Sequence, residues 1–169
     1  MNLLAKYLEI SNIKVNIINI IKYFRNNHWA SSAYKAAGGR ALVIPQDVHW
    51  NTFSDCLESY LTNWPVIITV CDGEKRNDLD KEVVRKVMDT NLKRNAEDML
   101  KITNNIAVAL DRLQSDSCNI GDATEIWKEV QDLLVAQFKG DNKLKKTIDK
   151  RVSEALTPVH YMAYMLHPS

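Results

Sequence analysis

The sequence has few cysteines, no long hydrophobic run and no excess of charge of one sign. Cys56, Cys71 and Cys118 are an odd, widely spaced set without a C-x-x-C pair, which fits a reducing compartment better than a disulfide framework or a zinc site. We therefore predict free thiols. With 22 basic and 21 acidic residues, the chain has no overall field that would draw it to a nucleic acid or an anionic membrane. Any contact with DNA must be local.

No apolar run has the length that a bilayer span needs. The most apolar early segment, residues 13–24, is about half that length and contains Lys14 and Lys22. The N-terminal residues lack the basic start and the small-residue cleavage site of a signal peptide. We therefore expect a nuclear or cytoplasmic protein that is not secreted and has no membrane partner.

Apolar residues recur at helical intervals along most of the chain. Residues 13–24 predict an amphipathic helix that Ser11 caps and that ends at Gly38 and Gly39. Residues 41–44, closed by Pro45, are too short for a helix and predict one brief strand. The fold class is therefore mainly α-helical. The other predicted helices cover residues 52–65, 78–87, 92–116, 122–140, 144–156 and 158 onward, with 66–71 helical or irregular.

A series of local motifs extends over the whole chain: MNLLAKYLE, IKYFRNNHWASSAYKAAGG, LVIPQDVHWNT, SDCLESYLTNW, NLKRNAEDMLK, IAVALDRLQSDSCNIGDATEIWK and LTPVHYMAYMLHPS. In content and order the series resembles the middle of hAT-superfamily DNA transposases and their host-adopted relatives. In that family a ribonuclease H-like core is interrupted by a large helical insertion. The resemblance implies that residues 1–52 are the C-terminal portion of such a core and that residues 53–169 are part of the insertion.

The same resemblance implies that the chain is not an enzyme. In the family three acidic residues bind the catalytic divalent metal, two before the matched region and one after it. The residues themselves agree, because Asp47 lacks a second converging carboxylate and is expected to order the turn after Pro45. Asp78 and Asp80 lie at a predicted helix start, where negative charge is favourable. We therefore expect no catalytic residue, no metal site and no cofactor.

The nucleic-acid-binding candidates are His49 and Trp50. In the family an arginine and a tryptophan occupy these positions, and the tryptophan stacks against a base flipped out of the duplex. Histidine is mostly neutral at physiological pH and cannot grip phosphate as a guanidinium does, so the phosphate half of the pair is weakened. Trp50 has an alternative role as a core anchor, since tryptophans are usually well buried.

Two functions follow as hypotheses. The leading one is a transposase-derived fragment without catalytic activity that keeps weak DNA contact through His49 and Trp50. The alternative is a helical protein-interaction module, adopted by the host or pairing with an intact transposase. For that partner or oligomer we predict exposed apolar surface around Ile17, Ile21 and Leu42. A modest basic stripe, diluted by Glu97 and Asp98, is formed by Lys86, Lys93, Arg94 and Lys101.

Overall fold

The computed structural model describes residues 8–45, 50–73, 76–138 and 140–166, with side chains from residue 12 in the first range and from residue 52 in the second. Within these ranges the chain forms eight α-helices, one short 3-10 turn at Arg76–Asp78 and no strand. The predicted mainly α-helical class is confirmed. The helices are α1 Leu8–Asn26, α2 His28–Ala36, α3 Trp50–Asp72, α4 Lys81–Val87, α5 Thr90–Leu113, α6 Ile120–Gln137, α7 Asn142–Ala155 and α8 Pro158–Met165.

The helices belong to two compact units. Unit 1 extends to Thr103 and contains α1 to α4 with the first part of α5, and unit 2 extends from Asn104 through α6, α7 and α8. The predicted division at residue 52, which derives from the family resemblance, stays a prediction.

The apolar stripe of α1 forms the core of unit 1. Ile17 and Ile21 are 0% exposed, because α1 is covered by α2, α3 and α4. Leu42, in the segment after α2, is 7% exposed. The Phe24 ring lies against the Tyr34 ring of α2 at 5.9 Å between centroids. The predicted exposed apolar surface around Ile17, Ile21 and Leu42 is therefore wrong, since neighbouring helices within the unit bury these side chains.

The predicted strand at residues 41–44 is also wrong, because this segment is irregular. Backbone groups of this segment and of the preceding Arg40 bond to side chains of helices instead of to a partner strand. The Arg40 N–H donates to Asn63 Oδ1 at 2.8 Å, and the Val43 N–H donates to Ser59 Oγ at 3.0 Å. The Leu42 carbonyl accepts from the Arg25 guanidinium at 3.2 Å. These bonds hold the segment against α1 and α3 without a sheet.

Two boundaries in the first predicted helix differ from expectation. The helix α1 begins at Leu8, so Ser11 lies inside it and does not cap it. The helical region is also broken at Asn27, whose side chain accepts from the Ala30 N–H at 3.0 Å and caps α2. Asparagine is a favoured N-cap, and this cap divides the predicted single helix in two.

Proline 65 does not end α3, contrary to the prediction. The helix continues to Asp72 with Pro65 inside it, and residues 66–71 are helical. An interior proline costs about 3 kcal/mol. Buried side chains on both sides of it, Tyr60 before and Ile67 after, are 0% exposed, and their packing offsets that cost.

In unit 2 the predicted helices are found, with one start moved. Asn119 caps α6 and forms a capping box with Asp122, so α6 begins earlier than the predicted start at Asp122. The start of α8 is as predicted, with Thr157 at the cap and Pro158 at the first helical position. Both α7 and α8 pack on α6, so α6 is the central helix of the unit.

Candidate functional site

The predicted DNA-contacting residues lie at the edge of the described chain. Asp47 and His49 are outside the described residues, and so is the side chain of Trp50, at which α3 begins. Their roles stay predictions. A little further along the first turns of α3, Phe53 is buried and has the Lys14 Nζ 5.7 Å from its ring centroid. The first turn of α3 contains no acidic residue, so the partial positive charge of this helix end is not neutralised from within the turn.

The three lysines of the basic stripe predicted on α4 and α5 are neutralised by neighbouring carboxylates, while the Arg94 guanidinium donates to the Asn91 side chain at 3.3 Å. Lys86 Nζ lies 2.7 Å from Glu82, and Lys93 Nζ lies 2.6 Å from Glu97. Lys101 contacts Asp98 at 3.2 Å. The exact partners differ from one lysine to the next, but each has a carboxylate on its own helix. These lysines therefore offer little unbalanced charge to a phosphate backbone.

The thiols of unit 1 are buried and poorly suited to nucleophilic chemistry. Cys56, Cys71 and Cys118 are all free, as predicted. Burial raises the pKa of Cys56 to about 12 against the opposing effect of Lys14, and burial raises the pKa of Cys71 to about 11. An activated cysteine needs a lowered pKa instead. Cys56 and Cys71 therefore act as small core residues.

The carboxylates near the predicted acidic pair serve as helix caps. Asp80 caps α4 by accepting from the Glu82 and Val83 N–H groups at 2.8 and 3.1 Å. Asp89 accepts from the Asn91 N–H at 2.9 Å at the start of α5. Within the described ranges, three or more His, Cys, Asp or Glu side chains nowhere converge as a metal site would require. No helix in the described part of the chain is long and apolar enough to cross a membrane.

Unit 1 contains an open groove of about 520 Å³ between the 3-10 turn and α4. Its rim is mainly basic, and its one carboxylate is the capping Asp89. Because Asp89 is engaged at the α5 start, the groove has no matched acid and base for proton transfer. The lining residues are Arg76, Asn77, Lys81, Val84, Arg85, Met88 and Asp89.

The clearest exposed feature is an apolar face on α8, which we call the α8 surface. It is formed by Val159, Met162, Met165 and Leu166, which are 61%, 62%, 82% and 80% exposed. Helix α8 contains no Asp, Glu, Lys or Arg. On soluble proteins, large exposed apolar patches of this kind mark interaction sites.

The opposite face of α8 is fixed on α6 by polar and aromatic contacts. Thr124, which is fully buried, places its hydroxyl 3.0 Å from the His160 carbonyl oxygen. The Lys128 Nζ lies 4.1 Å from the Tyr164 ring centroid and 5.8 Å from that of Tyr161. Cation–aromatic contacts of this kind contribute about 0.5–1 kcal/mol each at exposed sites. Helix α8 is therefore held on α6 by one face, and the α8 surface is on its other face.

Sequence reasoning placed the exposed apolar surface in the wrong part of the chain. The signal for the correct place is the segment PVHYMAYML, in which apolar residues occur on every side of a helix and charged ones are absent. A helix that is apolar all round needs a second partner besides the one it packs on.

Comparison of the chain with protein-family models, with curated proteins and with solved structures finds no match in any of the three. The resemblance to hAT-superfamily transposases therefore stays a prediction.

Proposed function

We propose that this chain is a non-catalytic, transposase-derived helical module that binds a partner protein through the α8 surface. The observation that carries the proposal is the exposure of four large apolar side chains, three on a helix without charged residues and one at its C-cap, Leu166. In keeping with the expected origin, the proposal places the protein in the nucleus or the cytoplasm.

The spacing of the α8 residues suits a partner that offers an apolar groove. Val159, Met162, Ala163 and Leu166 follow the i, i+3, i+4, i+7 pattern by which an amphipathic helix enters such a groove. Methionine adapts its shape to irregular apolar surfaces, which favours Met162 and Met165 as contacts.

A second copy of the chain is a poorer occupant for this surface. An eight-residue helix is about 12 Å long. Two such helices packed face to face bury only a fraction of the roughly 800 Å² per partner that a stable interface needs. A groove that surrounds α8 on both sides covers more of each side chain.

The non-catalytic part of the proposal is supported by the chemistry of the described residues. The buried thiols have raised pKa values, and the Asp80 and Asp89 carboxylates cap helices. Neither group is arranged for acid–base or nucleophilic work.

Site-specific photo-crosslinking tests the partner proposal. A photoreactive phenylalanine analogue replaces Met162 in one variant and Val15, an exposed apolar residue of α1 in unit 1, in the control. We expect a discrete partner protein to be crosslinked from position 162 and not from position 15. The purified partner should then bind the chain at least about tenfold more weakly when Met162 and Met165 are both changed to glutamine.

Two outcomes would overturn the proposal. One is crosslinking from position 162 to other copies of the chain alone, which makes α8 a self-association surface. The other is equal crosslinking from positions 162 and 15, which makes the exposure of α8 irrelevant to binding.

DNA contact through His49 and Trp50 is the second candidate function. The observation that favours it is that α3 begins at Trp50 with no acidic residue in its first turn, beside Lys14. We expect Trp50→Ala to weaken binding to hairpin or unpaired-base DNA by about 1–3 kcal/mol. We expect His49→Arg to strengthen it with a steeper salt dependence. Loss of about 3–5 kcal/mol of folding stability in Trp50→Ala would instead identify the residue as a core anchor.

A further inference from the structure

Helix α7 and its leading turn carry a local excess of positive charge. Residues 139–151 contain six basic and two acidic residues, a formal charge of +4, whereas the whole chain has a net charge of +1. The remainder of the chain therefore has a formal charge of −3. The near-neutral composition conceals this segment.

Both acidic residues of the segment accept hydrogen bonds from backbone or amide groups. The Asp141 carboxylate caps α7 by accepting from the Lys143 and Leu144 N–H groups at 3.0 and 2.9 Å. The Asp149 carboxylate accepts from Gln131 Nε2 of α6 at 2.8 Å. Their positions are set by the helix start and by the packing of α7 on α6.

Three of the basic residues lie in a row along α7, which we call the lysine row: Lys143, Lys146 and Lys150. Their spacing of three and four residues places them on one side of the helix, and all three are exposed. From the first to the last the row is about 10 Å long. The opposite side of the helix is the buried stripe of Leu144, Ile148 and Val152.

Few carboxylates lie close enough to the lysine row to balance its positive charge. Among the residues that the structure describes, Lys143 and Lys146 form no ion pair. Lys150 lies 3.8 Å from Glu154, and Arg151 lies at the same distance from that carboxylate. One carboxylate is therefore shared by two cations, in contrast to the paired lysines of α4 and α5.

We propose that the lysine row binds the phosphate backbone of a duplex nucleic acid. Duplex DNA has one negative charge for about every 1.7 Å of its axis, so a row of about 10 Å faces roughly six phosphate charges. Each lysine then has a phosphate within reach. The contact is independent of base sequence, and it goes beyond the protein binding proposed for α8.

A lipid surface fits the lysine row less well. Helices that bind membranes insert large apolar side chains beside their basic face. The large apolar residues of α7 are Leu144, Ile148 and Val152, all buried in unit 2, and α7 exposes no other large apolar side chain. The row therefore offers electrostatic contact without insertion.

Salt-dependent binding of the full-length chain to a labelled duplex of about 20 base pairs tests the proposal. Three lysine–phosphate contacts give a slope of log K against log salt of about −2.7. We expect Lys143→Gln/Lys146→Gln/Lys150→Gln to remove most of that slope and to weaken binding at low salt at least about tenfold. Replacing the same three lysines by arginine should preserve both.

The matched control removes the same charge from paired lysines. Lys86→Gln/Lys93→Gln/Lys101→Gln should leave the slope nearly unchanged, because those lysines contact Glu82, Glu97 and Asp98. Circular dichroism establishes that every variant is folded. A duplex RNA of the same length distinguishes the source of the phosphates, and binding to either duplex supports the proposal.

Three results would overturn the proposal. Equal losses in the two glutamine variants would show that only net charge matters. The absence of duplex binding at the lowest salt would show that the lysine row is not a nucleic-acid-binding site. Binding to vesicles of anionic phospholipid without binding to duplex would reassign the row to a membrane surface. None of these results bears on partner capture by the α8 surface, which is measured separately.

Discussion

Large apolar side chains are distributed differently over the two units. In the described part of unit 1 the exposed ones are Val15, Trp29 and Val43, which belong to different elements. In unit 2 they are concentrated on α8, where Met165 and Leu166 are more than three-quarters exposed. Scattered single residues are normal on protein surfaces, whereas a contiguous face indicates an unfilled contact. The difference teaches that unit 1 buries the apolar stripe of α1, whereas unit 2 buries the stripe of α7 but leaves an apolar face of α8 exposed.

The largest effect is expected in the core of unit 1, at Phe24. Its ring is 1% exposed and packs against the rings of Tyr23 and Tyr34. We expect Phe24→Ala to lower the free energy of unfolding by about 3–5 kcal/mol, because the cavity cannot be filled without moving those rings. Chemical denaturation measures the change.

The control for Phe24 is Val15→Ala on the same helix. Val15 is 52% exposed, so its truncation should cost less than about 0.5 kcal/mol. A similar loss of unfolding free energy for the two substitutions would contradict this, since it would mean that neighbouring helices do not cover the Phe24 side of α1.

A smaller loss is expected where α8 is seated on α6. Thr124→Val keeps the shape of a fully buried side chain but removes the hydroxyl that lies 3.0 Å from the His160 carbonyl oxygen of α8 and 2.9 Å from the Ile120 carbonyl oxygen of its own helix. We expect a cost of about 1–3 kcal/mol, because the His160 carbonyl is left without this donor. Thr147→Val is the matched control, since among the described residues the Thr147 hydroxyl bonds to a carbonyl of its own helix and to no other element. Equal effects at the two threonines would contradict the seating of α8.

Local signals in the sequence were enough for several elements of this fold. Thr157 before Pro158 identifies the start of α8, and the spacing of Leu144, Ile148 and Val152 identifies the buried side of α7. The outcome at Pro65 could not be predicted in this way, because tertiary packing on both sides of it decides whether the helix continues. Local propensity is overridden where enough apolar area is buried.

The candidate surfaces were harder to predict than the helices. Whether Ile17 or Met162 is exposed depends on which other helices cover it, and that is a property of the whole fold. The basic residues of α7 could be identified from the sequence, but the lack of nearby carboxylates to pair with them could not. Only the structure shows that Asp149 is turned toward Gln131. His49 and Trp50 were identified through the family resemblance alone.

A third prediction concerns a polar atom inside unit 1. The Tyr60 hydroxyl is buried and has no hydrogen-bond partner among the described residues, whereas the Tyr34 hydroxyl donates to the Arg40 carbonyl. We expect Tyr60→Phe to raise the free energy of unfolding by about 1 kcal/mol, and Tyr34→Phe to lower it by a similar amount. Thermal unfolding of the two variants distinguishes the signs. Destabilisation by Tyr60→Phe would mean that the hydroxyl has a partner in the folded protein.

The smallest effect on stability is expected at the α8 surface itself, and this prediction sharpens the comparison most. Met162→Gln/Met165→Gln keeps side-chain length and helix propensity while replacing exposed apolar atoms by amides, so the free energy of unfolding should change by less than about 0.5 kcal/mol.

A dye that fluoresces on apolar surfaces should bind the wild-type chain and lose much of its signal in this variant. Val15→Gln replaces one exposed apolar side chain outside the α8 surface and should leave the signal nearly unchanged, because one side chain contributes little apolar area. If the double variant unfolds more easily by 1 kcal/mol or more, α8 is packed against something within the chain. If the dye signal is the same in all three proteins, the apolar surface that binds the dye lies elsewhere, and the proposal that α8 binds a partner is wrong.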